Sequence, residues 1–268
     1  MTSQVGPHNA GMRQAARRVT TFQPIAPHAA GMPLYRAVKR ALLRAIEDGA
    51  LAPGAALDNE TLLAAAFEVS IGTLRQAVSE LVAEHILVRR QGRGTFVATH
   101  SAERFLFQFF HVERNDGLRE APSVELLQFD RGRLDEEAAE ALGRKPGDAA
   151  WLFENRLVLQ GRAVVHDRIV LPAALFRTFS EKRLRERPGT IYRLYQDEFA
   201  ITVVRALERA SAIAADRAIA RVLGLAVGTP MLQVRRTALT FGDKPVEYRV
   251  STLHTALHDY VQTLSRSS

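Results

Sequence analysis

The sequence predicts an α+β protein in two parts, and three observations predict it. Apolar residues recur at helical spacing in three successive stretches before residue 85, then give way to two short β-type runs around a glycine turn. From about residue 122 onward, strand-like and helix-like runs alternate. One block of that second part is echoed roughly 80 residues later, an offset too long for a solenoid and suited to a single duplicated unit. The length of 268 residues accommodates two domains with real cores.

Residues 1–31 mix Gly, Pro, His, Ala and Ser, and carry Arg13, Arg17 and Arg18 with no acid. They show no periodicity and read as a disordered basic arm, or as an inert tail. Residues 32–98 form the first compact unit. Leu34, Val38, Leu42, Ala45 and Ile46 mark a helix that Gly49 stops, and Pro53-Gly54 marks a turn. Asn59 caps a second helix bearing Leu62, Leu63, Ala66 and Phe67. Ser70 caps a third, with Leu74, Val78, Leu81 and Val82 on one face. Two strands, 86-ILVRR-90 and 94-GTFVA-98, then flank the turn.

The segment 99–121 reads as a connector entering the second part, which spans 122–268. There, 135-DEEAAEALGRKPGD-148 resembles 216-DRAIARVLGLAVGT-229. Each leads into a strand run, 151-WLFENRLVLQG-161 or 232-LQVRRTALTFG-242, and then into a second, 164-VVHDRIV-170 or 245-PVEYRVS-251. Each half thus supplies a helix and a hairpin, and the product is an antiparallel sheet with helices.

Composition excludes several classes of function. With no cysteine, there are no disulfides and no thiolate metal sites. No apolar run approaches the ~20 residues of a membrane helix. The N-terminus lacks an apolar signal core, so a cytoplasmic location is expected. The net charge of +7 suits a polyanionic partner. Catalytic signatures such as G-x-S-x-G, a P-loop or H-E-x-x-H are missing, so no catalytic residue, cofactor or metal is expected. His254 and His258 are four apart, a metal-ligand spacing if they share a helix face, but they read first as surface histidines near the C-terminus.

The third helix exposes a first turn of small and polar residues, Ile71, Gly72, Thr73, Arg75 and Gln76, ahead of a core face that begins at Leu74. Such a helix can enter a DNA major groove. Arg75 then suits guanine O6 and N7, or a phosphate; Thr73 suits a phosphate or a thymine methyl. Gln91, Gly92 and Arg93 form the tip of a thin wing, where glycine permits close backbone approach and arginine favours the minor groove. The unit reads as a winged helix-turn-helix.

In 33-PLYRAVKRALLRAIEDGALAPGAAL-57 and 69-VSIGTLRQAVSELVAEHILVRRQGRGTFV-97, the chain resembles the winged helix of GntR transcription regulators. The resemblance implies DNA contacts at Ser70, Thr73, Arg75, Gln91 and Gly92. Two arginines expected by the likeness are Thr61 and Ile71 here, which puts the operator's identity in question rather than the fold. The segments 189-GTIYRLY-195, 224-GLAVGTPMLQVRR-236 and 244-KPVEY-248 are similar to the UTRA effector-binding domain of the HutC-like branch. That likeness implies a six-stranded antiparallel sheet of chorismate-lyase-like fold, with effector contacts at Phe109, Arg156, Asp167, Thr190, Tyr192 and Glu247.

On their own chemistry these residues read unevenly. Arg156, in an otherwise apolar strand, fits an anchor for a carboxylate, phosphate or sugar hydroxyl, and equally a ladder-edge arginine. Tyr192 offers a ring and a hydroxyl but fits a core position as well. Glu247 fits a pocket or a pairing near Arg249. A second arginine of the family, expected two residues beyond Arg156, is Val158. Phe107, Phe109 and Phe110 fit either a pocket lining or an interdomain core. Together these readings predict a ligand-responsive regulator, a repressor acting as a homodimer on double-stranded operator DNA and answering to a small-molecule effector. A chorismate-lyase-type enzyme fused to a DNA-binding head and an effector-free architectural DNA binder are the alternatives.

Overall fold

A computed structural model describes residues 22–25, 32–100 and 108–262. Arg13, Arg17, Arg18 and Phe107 lie outside the described residues, as does most of the arm. Its residues 22–25 sit against the first domain: Phe22 packs on Phe67 with ring centroids 4.5 Å apart, and the Ile25 amide donates to the Phe67 carbonyl at 3.0 Å.

Three helices open the first domain. Helix α1 (Leu34–Glu47) buries Val38, Leu42 and Ile46, one residue per turn, while Leu34 stays 39% exposed. Helix α2 (Glu60–Phe67) starts at Asn59, whose side chain accepts from the Leu62 amide, and ends where Glu68 turns left-handed. Helix α3 (Ile71–Ala83) follows after three residues and buries Leu74, Ala77, Val78 and Leu81. Lys39 ties α1 to α3 through Glu80 and Glu84. Strands β1 (Leu87–Arg90) and β2 (Gly94–Val97) pair antiparallel. The Pro53-Gly54 segment also adds to this hairpin: the Gly54 amide donates to Val97, the Val97 amide to Ala55, and Ala56 bridges Phe96.

The connector contributes strand β3 (Val112–Arg114), which pairs with β10 (His258–Tyr260) in a small sheet of its own. The main sheet has six antiparallel strands in the order β4-β5-β6-β9-β8-β7. Its first half is β4 (Ser123–Arg133), α4 (Glu136–Leu142), β5 (Ala149–Leu159) and β6 (Arg162–Pro172). The second is β7 (Arg205–Ala214), α7 (Arg217–Leu223), β8 (Pro230–Leu239) and β9 (Pro245–Leu253). Helices α5 (Glu181–Glu186) and α6 (Ile191–Phe199) lie between the halves in sequence.

The duplication extends to capping chemistry. Asp135 and Asp216 each cap a seven-residue helix through the amide three residues on, and Gly143 and Gly224 each close it in the left-handed region. Leu134 and Ala215 then exchange matching amide bonds with the turns at Gly147 and Gly228. Helices α4 and α7 cover one face of the sheet. The other face is covered by α5, α6 and the connector, where Phe153, Phe176, Phe179, Tyr192 and Tyr195 build an aromatic core.

Candidate functional site

The residues that the sequence nominates for DNA contact lie on α3 and at the β1–β2 tip. Ser70 Oγ accepts from the Thr73 amide at 3.1 Å and lies 2.9 Å from Thr73 Oγ1, so both residues fix the helix start. The first-turn amides that this cap leaves open, together with the helix dipole, favour a phosphate. Arg75 and Gln76 are exposed on the next turn. Arg75 Nε donates to Glu60 Oε2 of α2 at 2.6 Å, which positions the guanidinium while its side chain stays 64% exposed. Thr61 and Ile71 are also exposed, so the surface is apolar at Ile71, where the resemblance leads one to expect an arginine.

At the wing, the Arg93 amide donates to the Arg90 carbonyl at 2.9 Å and closes the turn. Gly92 sits at φ +68°, a backbone that L side chains adopt at a cost. Gln91, Gly92 and Arg93 are all exposed. The stem is braced: Arg90 lies over the Phe96 ring at 4.9 Å, and Arg89 donates to Ser79 of α3 at 2.9 Å.

A cavity of about 230 Å³ opens between the sheet and the start of α6. Strand residues Asn155, Leu157, Asp167, Ile169 and Arg249 form its floor, and Arg187, Gly189, Thr190 and Ile191 its wall. Thr190 caps α6, accepting from the Arg193 amide at 3.3 Å. Below the cavity lies a buried ionic network. Arg249 reaches Glu247 through Nε and Nη2, both at 3.0 Å, and Asp167 through Nη1 at 3.3 Å. Tyr192 and Tyr195 donate to Glu247 at 3.1 and 2.7 Å, and Ser251 donates to Asp167 at 2.6 Å. Burial, then the neighbouring Glu247 carboxylate, pushes the Tyr192 hydroxyl up to about 12. Burial alone would pull Arg249 down, but Glu247, Tyr192 and Asp167 outweigh it and hold it well above the usual arginine value.

The structure therefore brings Asp167 and Thr190 to the cavity and places Tyr192 and Glu247 directly beneath it. Phe109 is instead buried against Tyr192, edge to face at 4.9 Å, and lines a much smaller void of about 30 Å³. Arg156 is set apart. It points to the α7 side of the sheet, donating to Glu125 at 2.7 Å and to the Val222 carbonyl at 3.4 Å. Successive strand residues face opposite ways, so it is Asn155 and Leu157 that face the cavity. The strand was not uniformly apolar: Glu154 and Arg156 share one face while Phe153, Leu157 and Leu159 share the other, and that alternation carried the signal. Arg187 and Arg249 were missed as well. Arg249 was findable as the residue two beyond Glu247 on the same face; Arg187, in the turn between α5 and α6, left no periodic trace. His258 begins β10 and His254 precedes it outside any helix, so the two share no helix face.

Two lines of contact join the cavity half to the first domain. The α6 residue Gln196 accepts from the His100 amide at 3.1 Å and donates to Thr202 at 3.1 Å, while His100 Nε2 accepts from the Val203 amide at 3.1 Å. His100 follows β2 by three residues. Val204 and Phe241 complete the first domain's apolar cluster.

Comparison with known proteins agrees with this geometry. Residues 34–97 match the family model of bacterial regulatory proteins, gntR family, and residues 118–259 match that of the UTRA domain. The transcriptional repressor NagR of Bacillus subtilis is 27% identical over 241 residues, covering 88% of this chain and 97% of that protein. The histidine utilization repressor of Klebsiella aerogenes is 28% identical over 186 residues, covering 67% and 77%. Among solved structures, a ligand-binding domain from Bordetella bronchiseptica superposes with a TM-score of 0.57 at 30% identity, over 59% of this chain and 99% of that one. With a reading head and a UTRA sheet each matched in place, the chain belongs to the GntR family of bacterial transcription regulators.

Proposed function

We propose that the protein is a repressor whose operator grip is released by a small metabolite held in the cavity beside α6. The observation that carries this reading is the double engagement of α6. Its N-terminal end walls the cavity through Thr190 and Ile191, and about one and a half turns further on Gln196 holds His100, just beyond the wing strand. A ligand that repositions α6 thereby repositions the winged helix, with coupling of the usual 1–3 kcal/mol. Relatives named as repressors, among them those for histidine utilization and NagR, support the sign of the response.

The working unit is a homodimer in the cytoplasm, presenting two winged helices to two half-sites of double-stranded operator. It acts as a regulator and not as an enzyme. Asp167 and Glu247 are both engaged by Arg249, and Glu247 by two tyrosines besides, which is a scaffold and not an acid–base pair. No turnover of chorismate is expected from the purified protein.

The test is an operator titration using DNA selected from a random library by the full-length protein. Because Glu60 holds Nε of Arg75, the outer fork is free for a base edge. Arg75→Ala is expected to cost roughly 1–3 kcal/mol and to relax preference at one operator position. An even loss across sequences, with the salt slope reduced by about one unit, would assign Arg75 to a phosphate instead. No change in either measurement would remove α3 from the reading face.

A further inference from the structure

The cavity holds polar groups that its own walls leave unsatisfied. Asn155 is only 4% exposed, yet its Oδ1 has no hydrogen-bond partner among the described residues. Arg187 Nε is likewise buried without a partner. That guanidinium donates to the Leu184 carbonyl through Nη1 and forms no ion pair with a described carboxylate. Burial, with Arg249 nearby, lowers its affinity for its proton, as an uncompensated cation requires. Buried polar groups in native proteins are almost always satisfied, and a buried charge is almost always paired. Two such groups lining one cavity point to a partner that the described residues do not supply.

The remaining wall specifies the partner's charge. Arg187, Gly189, Thr190 and Ile191 enclose one end of the cavity, where α6 presents its N-terminus. Thr190 Oγ1 accepts from the Arg193 amide, which leaves its hydroxyl proton to donate outward. A guanidinium edge, a hydroxyl and helix amides together make an anion site. At the other end, Asn155 and Asp167 lie opposite each other on β5 and β6. Asp167 adds acceptor oxygens there, and the Asn155 amide offers an acceptor and donors.

We infer that the effector is a small organic acid. Its single carboxylate lies between Arg187 and the N-terminus of α6, and its hydroxyl or amino group lies against Asn155 and Asp167. The assignment rests on reading the cavity as the effector site. A carboxylate fits better than a phosphate because, among the described residues lining the cavity, only Arg187 is an uncommitted cation. Arg249 is shared by Asp167 and Glu247, and the cavity-facing residues of β5, Asn155 and Leu157, bring no charge. A phosphate, carrying close to two negative charges at neutral pH, would confront both carboxylates with one arginine to offset it.

The experiment uses the full-length protein in thermal-shift and calorimetric titrations. The probes are hydroxy and amino acids of three to six carbons, the methyl esters of those that bind, sugar phosphates with inorganic phosphate, and neutral sugars. At least one carboxylate is expected to bind, its methyl ester about tenfold or more weakly. Arg187→Gln is expected to lose about as much, and Asn155→Leu to weaken the hydroxy or amino acid, with circular dichroism melts showing both variants folded. The assignment is overturned if no carboxylate binds, if a sugar phosphate or neutral sugar is preferred, or if Arg187→Gln binds the acid like the parent. Operator titrations run with the same probes separate the two readings. A sugar phosphate that binds and releases operator ends the carboxylate assignment and leaves the regulator intact. A carboxylate that binds through Arg187 without affecting operator does the reverse.

Discussion

Gly92 and Arg156 show how much a single position decides. Apart from its chain neighbours, no described residue lies within 4 Å of where a Cβ on Gly92 would sit, so the demand for glycine comes from φ of +68° and from what the tip approaches. Two variants separate those causes. Gly92→Val is expected to cost about 1–2 kcal/mol of backbone strain as well as operator affinity. Gly92→Asn tolerates the left-handed backbone, so it is expected to keep the melting temperature and still weaken operator binding in fluorescence anisotropy. Operator affinity equal to the parent's in both variants would remove the wing tip from the DNA contact. Arg156 leads to the opposite expectation from the one its sequence context suggested. Its partner Glu125 is 47% exposed, and such a pair contributes less than about 1 kcal/mol. Arg156→Ala is therefore expected to leave both effector response and operator binding close to those of the parent, measured in paired titrations. Loss of response alone would return Arg156 to the effector site.

Among the elements, α6 carries most of the consequence. Replacing Gln196 by Leu removes its bonds to the His100 amide and to Thr202 while leaving the cavity walls unchanged. Operator affinity and effector affinity, each measured alone, are expected to stay within a few-fold, while effector-driven release weakens. Unaltered release would show that α6 does not transmit. The elements themselves were readable to different depths. Asn59, Ser70 and the wing glycines announced the first domain, because caps and turns are local chemistry that a sequence states directly. The duplicated helix-hairpin unit was readable because Asp135 and Asp216, Gly143 and Gly224, and Gly147 and Gly228 repeat in step. Facing was not. One residue of register exchanges the faces of a strand, and pairing shifts at Leu126/Gln128 and Leu157/Val158 blur the count. The Arg187 wall arises from a turn that only the tertiary fold brings over the sheet.

At the scale of the whole molecule, the connector is clamped where the small β3–β10 sheet meets the main one. Arg236 donates to the Phe109 carbonyl at 2.6 Å and pairs with Glu208, which also accepts from Tyr260. Two histidines sit at this junction. His111 is held below the usual histidine value by burial, then by Arg236 and Arg119, against the pull of Glu208. His258 is lowered by burial, with Arg114 and His254 adding to it and Glu120 and Asp259 opposing. A depressed folded-state pKa means that the unfolded chain takes the proton first, so stability rises with pH across the gap. The contribution is complete above the unfolded value of about 6.5 and is lost as pH falls below it. Urea denaturation at about pH 7.5 and 5.5 is expected to show the loss, and a His111→Gln, His258→Gln variant to flatten it. An equally steep slope in that variant would place the acid sensitivity elsewhere. The clamp and the cavity also draw on corresponding strand pairs of the two halves. Asn155 faces Asp167 in the first half as Arg236 faces Arg249 in the second, about 80 residues on. The void at the clamp measures about 30 Å³ against about 230 Å³ for the cavity, and Leu157, Asp167 and Arg249 line both. A change at Leu157, Asp167 or Arg249 would therefore be felt at the clamp and in the cavity together, as a party wall carries sound into both rooms.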